Sequence, residues 1–208
     1  MSLFEPDRLF ARITAIDIRR DLLDAGICAV LLDIDNTLRS RETGDVPHDV
    51  GVWLGKARDA GIAFCLLSNN WHADVRSFAE SLDLPIVAKA MKPLPFSYLM
   101  AIHKLNVEMR ARDRSEEEAA HPSMHIGRRQ TVSIGDQVFT DVAGAHLAGI
   151  RAYMVAPLAE VDLKHTLLLR NIEKRLIGSR EPEPSPAVIF EGAPIATNTV
   201  DEIHLHGD

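Results

Sequence analysis

Asp33 and Asp35, in Val30-Leu31-Leu32-Asp33-Ile34-Asp35-Asn36-Thr37-Leu38, are the residues of this chain best suited to chemistry. They close an apolar run that also takes in Cys28 and Ala29, the pattern of a strand buried on both faces. Side chains alternate along a strand, so carboxylates two apart at its end are expected to point the same way. Like charges that close repel unless compensated, and a divalent cation is the usual compensation. A bare Asp-x-Asp is equally a turn or a helix cap, so the pair needs support from elsewhere. Three further motifs supply it, each after an apolar run: Ser68-Asn69-Asn70, Lys92-Pro93 and Gly135-Asp136. A third acid would complete an oxygen-rich site for Mg²⁺. A hydroxyl and an ammonium hold phosphate oxygens, and a carboxylate can attack phosphorus and carry the phosphoryl group.

These residues must be positioned by the elements before them. A helical pattern at 16–25 stops at Gly26, just ahead of the run at 30–34. Pro47 to Ala60 reads as a helix with Val50, Trp53, Leu54 and Ala57 at helical spacing and Gly61 as its stop. Strands are predicted at 62–67, 86–88, 131–135 and 151–155, and helices at 72–82, 95–107, 138–148 and 163–177. Strands alternating with helices predict an α/β fold, a parallel sheet of about five strands. In such sheets ligands bind beyond the carboxyl ends of the strands, where all the motifs fall. Residues 1–178 are expected to form one domain, with 108–130 (charged, holding Pro122) as a mobile insertion and 179–208 as a Pro-rich acidic tail, extended or disordered.

Composition narrows the partners. With 46% hydrophobic and 25% charged residues, the 208-residue chain can bury a sizeable core. Its net charge of −7 is concentrated at the end: residues 181–208 hold six acids and no Lys or Arg, which leaves the rest at −1. No basic stripe for nucleic acid is present. No apolar run approaches the roughly 18 to 20 residues a bilayer span needs, and the first residues lack a secretory pattern. Cys28 and Cys65 lie in apolar runs and read as buried thiols in a reducing, cytoplasmic setting. One peripheral contact with anionic membrane is open to the helix at 163–177, where Lys164, Arg170, Lys174 and Arg175 accompany leucines; the same stripe would equally pack on the sheet. His121 and His125 flank Pro122 and read as solvated loop residues, Arg110, Arg112 and Arg114 as a solvated face, and Trp53 and Trp71 as ordinary aromatics. Lys89 is the rival of Lys92 on the same stretch; the Lys-Pro pair favours Lys92.

The four motifs, with Gly135-Asp136-Gln137-Val138-Phe139-Thr140-Asp141 as the last, resemble those of the haloacid dehalogenase (HAD) superfamily of aspartate-nucleophile phosphatases. Within it the chain resembles the small YqeG-like phosphatases of subfamily IIIA, related to phosphatidylglycerophosphate phosphatase, over about residues 4–177 except 108–130. The resemblance implies a Rossmannoid three-layer sandwich without a large cap domain. It implies Asp33 as nucleophile and metal ligand. Asp35 would serve as proton donor and then base, its backbone carbonyl on Mg²⁺, and Thr37 would support that loop. Ser68 and Lys92 would bind the phosphoryl group, Asp136 the metal, with Asp141 ligating or orienting nearby, and Asn69 would touch substrate. It also implies a Mg²⁺-dependent phosphate-ester hydrolase working through an aspartyl-phosphate. A soluble phosphatase of another ester, a receiver-like signalling module and a non-catalytic scaffold are the other readings; oligomeric state stays open.

Overall fold

Ala29–Leu32 forms the strand that the apolar run predicts, and every residue of it is buried. In the structure, a computed structural model that describes residues 2–40, 44–71, 74–115, 125–158 and 181–183, it lies inside a sheet of six parallel strands. In chain order these are β1 (Arg8–Phe10), β2 (Ala29–Leu32), β3 (Ala63–Ser68), β4 (Ile86–Ala88), β5 (Thr131–Gly135) and β6 (Arg151–Val155). Their order across the sheet is β1-β6-β5-β2-β3-β4. From β2 the chain steps one way to β3 and β4, then crosses to β5 on the other side of β2. The strand order therefore reverses between β2 and β5, the place where α/β sheets open a crevice.

Helices cover both faces: α1 (His48–Asp59), α2 (Asp74–Ser81), α3 (Phe96–Ser115) and α4 (Ala143–Leu147). Alternation along the strands sorts the core. Val30 and Leu32 of β2 join Val50, Trp53 and Leu54 of α1 and Val75 of α2, whereas Ala29 and Leu31 join Tyr98, Ile102 and Leu105 of α3 and Ala145 of α4. The result is a three-layer sandwich, and no large cap interrupts its described residues. α1 ends as its sequence predicts: Gly61 takes a φ of +87°, and the Gly61 and Ile62 N–H groups donate back to Arg58 and Ala57.

The structure differs from the sequence reading in three places. The sheet has a sixth strand, β1, paired with β6 at Arg8–Tyr153 through Phe10–Val155; three residues behind Pro6 are too short to show a period. The expected helix at 16–25 is a turn of π-helix at Ile18–Leu23, capped where Asp17 accepts from the Arg20 N–H. And α3 runs to Ser115, eight residues past the expected end, into the charged stretch. Glu108 to Arg112 are good helix formers with little apolar content, so the helix continues without the stripe that would have announced it. The chain returns to α3 at buried Ile126, whose backbone is clasped by the Asn106 side chain at 2.9 and 3.0 Å. The helix expected at 163–177, His121 and nearly all of the acidic tail lie outside the described residues. Of the tail, Glu183 sits against β1, its N–H donating to Leu9.

Candidate active site

β5, β2, β3 and β4, consecutive neighbours across the sheet, each hand one group to the crevice. Past β2, the Asp33 N–H is held by Ile134 of β5, and its side chain turns inward. The chain then closes a tight loop: Leu38 and Arg39 donate to Ile34, Asn36 donates to Arg39, and Asn36 takes a φ of +64°, a conformation Asn tolerates better than most residues. Thr37 Oγ1 is buried in that loop without a hydrogen-bond partner among the described residues. β3 ends at buried Ser68, whose Oγ accepts from the Asn70 N–H at 3.0 Å, so the hydroxyl proton points elsewhere. Beyond β4, the Lys92 backbone is gripped at both polar atoms by the Asn69 side chain, at 2.7 and 3.1 Å. β5 delivers Asp136, and the π-helical turn Val138–Val142 delivers Asp141, a geometry frequent at functional sites.

Asp33, Asp136 and Asp141 are all buried, and one ligand oxygen from each lies within 4.8 Å of the others. The Lys92 ammonium reaches Asp33 at 2.5 Å and Asp141 at 2.6 Å. The other oxygen of Asp141 accepts from the Gln137 N–H at 3.1 Å. Burial pushes the Asp33 carboxyl up; Lys92 pulls it back and Asp141 pushes again, leaving it at about 6. Burial works against the Lys92 charge, but Asp141 and Asp33 together hold its pKa above the usual lysine value. Lys89 is not part of this cluster: its ammonium lies 4.7 Å from the centre of the Trp71 ring.

Asp35 is not one of the three acids whose oxygens meet, but its charge also acts to raise the Asp33 carboxyl. The strand stops at Leu32, and Asp35 lies in the loop that follows, bridged to Arg39. Its Oδ1 accepts from Arg39 Nε at 3.1 Å. Asn69, expected to touch substrate, has its amide on the backbone of Lys92.

Three chemistries are therefore within reach of one crevice: a buried carboxylate beside an ammonium, a hydroxyl with a free proton, and an all-oxygen donor set. Asp33, Asp136 and Asp141 could hold a cation of the hard, oxygen-seeking kind. The HAD-hydrolase-like family model matches residues 90–157, the stretch that carries Lys92, Asp136 and Asp141. The chain is also similar to "Probable phosphatase YqeG" of Bacillus subtilis (strain 168), 27% identical over 176 residues, covering 85% of this chain and 91% of that protein. The chain is thus similar to phosphatases of the haloacid dehalogenase type.

Solved structures similar to this chain include the cobalt-bound deoxy-D-mannose-octulosonate 8-phosphate phosphatase of Haemophilus influenzae (12% identity, 74% of this chain and 88% of that one, TM-score 0.39). Another is the 4-nitrophenylphosphatase of Thermotoga maritima (11% identity, 68% and 90%, TM-score 0.41).

The sequence reading missed one support of this site. Tyr98 of α3 is fully buried and donates to the Thr140 carbonyl at 2.7 Å, bracing the turn that presents Asp141. Gly135 and Gly144 are the signal that could have found these contacts. A Cβ at Gly135 would collide with the Asp141 carboxylate, and one at Gly144 with the Tyr98 ring.

Proposed function

We propose that the chain hydrolyses phosphate monoesters with Mg²⁺, through an aspartyl-phosphate on Asp33. The observation that carries this reading is the buried Asp33–Lys92 pair, 2.5 Å long, set against two more buried carboxylates. Three carboxylates and one ammonium carry a balance of two negative charges, which suits a divalent cation with oxygen ligands. Mg²⁺ held by Asp33, Asp136 and Asp141 would neutralise the phosphoryl oxygens and orient the ester.

The chain's own residues account for the bond changes. An Asp33 oxygen attacks phosphorus, the ester P–O bond breaks, and the leaving oxygen takes a proton from Asp35. Water then attacks the same phosphorus and gives a proton to Asp35. The Asp33–phosphorus bond breaks, returning the carboxylate and inorganic phosphate. Lys92 favours the ionised nucleophile and balances charge on the phosphoryl group. Ser68 donates to a phosphoryl oxygen with the proton it does not share with Asn70, and Asn69 holds Lys92 in place.

For the substrate we favour phosphatidylglycerophosphate, with a soluble ester as the alternative. The support is local: Trp71, Met91, Leu94 and Phe96, four exposed apolar residues, sit on the stretches just after Asn69 and around Lys92. They suit an ester with an apolar body better than a sugar phosphate. The decisive experiment has two parts. Phosphate release from an aryl phosphate should require Mg²⁺, with a phosphoryl adduct on Asp33 trapped by acid quench and mass spectrometry; turnover in chelator without an adduct overturns the mechanism. Turnover of the lipid in micelles should exceed that of sugar and nucleotide phosphates, and the reverse ranking overturns the substrate.

A further inference from the structure

We propose that Arg39 is a positioning residue for Asp35, holding that carboxylate where it exchanges a proton with the leaving oxygen. This rests on the acid–base reading of Asp35 given above. The loop after β2 folds back so that residue 39 pairs with residue 35, with the Arg39 N–H on Ile34 and the Arg39 carbonyl on Asn36. The side chain is then fixed at three points. Nε donates to Asp35 Oδ1 at 3.1 Å, and Nη2 donates to Asp74 Oδ2 at 3.0 Å. The guanidinium also lies 5.0 Å from the centre of the Phe78 ring. Two of those points, Asp74 and Phe78, belong to α2, so the guanidinium bridges the catalytic loop to the helix beside it.

The planar fork gives this bridge a direction that a lysine would not. With Oδ1 of Asp35 committed to Nε, Oδ2 is the oxygen left to carry the proton. Only 12% of the Arg39 side chain and 19% of that of Asp35 are exposed, so water does little to weaken their contact, whereas Asp74 on the far side is half exposed. Without Arg39 the carboxylate rotates freely, and its proton reaches the leaving oxygen in a smaller share of encounters. The cost falls on esters whose leaving oxygen needs that proton and spares those whose leaving group departs as a stable anion.

The test compares phenyl phosphate, a poor leaving group, with p-nitrophenyl phosphate, a good one, in Arg39→Ala, Arg39→Lys, Asp74→Asn and Asp35→Asn, each shown folded by circular dichroism. General acid catalysis contributes about 10²- to 10⁴-fold. Arg39→Ala should therefore lower kcat on phenyl phosphate by about 30-fold or more and on p-nitrophenyl phosphate by no more than about threefold. Arg39→Lys should restore part of that difference, and Asp74→Asn should show a smaller loss of the same selectivity. Equal losses on both substrates in Arg39→Ala, or a raised KM at unchanged kcat, alongside a steep leaving-group dependence in Asp35→Asn, would overturn the role of Arg39 alone. A flat response in Asp35→Asn would overturn the acid role of Asp35, and the proposal with it.

Discussion

Asp21 and Asp33 are both buried aspartates with basic neighbours, and their carboxyl groups are driven in opposite directions. Burial pushes the Asp21 carboxyl up, yet hydrogen bonds from Arg20 and Arg8, then the Asp17 N–H, hold it below the usual value. Those guanidiniums reach it at 2.6 to 2.9 Å, and Arg8 goes on to grip Glu183. At Asp33 a single ammonium is divided between two acids, so burial prevails and the carboxyl rises to about 6. Burial alone does not mark a site. What separates the two is whether the cations match the acids they serve: two guanidiniums for Asp21 and Glu183, one ammonium for Asp33 and Asp141. The first cluster is a closed latch on the edge strand β1; the second is left wanting positive charge, which a cation and then a phosphoryl group's surroundings can supply.

The largest break in this comparison is Asp33→Asn. Turnover should fall by on the order of 10⁴ or more, as for other removed nucleophiles. Stability in chelator should move the other way. A carboxyl whose folded value lies above its unfolded one adds stability only while protonated, and that contribution disappears as pH rises through about 6. The variant should therefore be more stable than the parent near pH 8, by on the order of 1–3 kcal/mol, and no different below about pH 4. Denaturant titrations across that range decide it; a variant destabilised at pH 8 would mean that Asp33 is as well compensated as Asp21.

Lys92→Ala removes the one shared counter-charge. Turnover should drop by about 10²- to 10³-fold, and metal-free stability by roughly 3–5 kcal/mol, the usual cost of leaving buried acids without their partner. Added Mg²⁺ should recover part of the stability, because a cation on the same carboxylates replaces the lost charge. A melting temperature that ignores Mg²⁺ in both parent and variant would argue against a cation among Asp33, Asp136 and Asp141.

The parts of this site that could be read from the sequence are those carried by strand ends. Ser68, Lys92 and Asp136 each follow a short apolar run, so position and chemistry coincide on one stretch of chain. The sheet was legible for the same reason, and β5 and β6 fall on the predicted residues. What stayed hidden depends on contacts distant in sequence or on backbone that leaves the regular period. The partner of Asp35, Arg39, depends on a left-handed Asn36 and a loop closed back on residue 34. The brace from Tyr98 to Thr140 spans 42 residues. β1 owes its place to β6 and to the Arg8 latch, and three residues hold no pattern of their own. α3 ran on unseen because its last turns, rich in charged residues, carry no apolar stripe in the sequence.

The mildest break for catalysis, and the sharpest control, is Asp21→Asn. The amide keeps the shape but loses the charge that two guanidiniums face, and its NH₂ group meets donors where an acceptor stood. Stability should fall by about 1–3 kcal/mol, while kcat of the folded protein stays within about twofold, a small surface-like effect on a distant site. The pH dependence has the opposite sign to that of Asp33. A carboxyl held below its unfolded value stabilises the fold once it is ionised, at pH above its ordinary range, and that contribution is lost as pH falls through the folded value. The gap between parent and variant should thus be full at neutral pH and shrink in acid. Parallel denaturation curves at neutral and acid pH, with kcat measured on the same samples, test both halves. If Asp21→Asn cut turnover as deeply as Asp33→Asn, the latch and the site would be one coupled charge system, and the donor-to-acid balance would not separate scaffold from chemistry. If it cost only stability, and only above the acid range, the two aspartates would be the same residue put to two uses by the neighbours each one has.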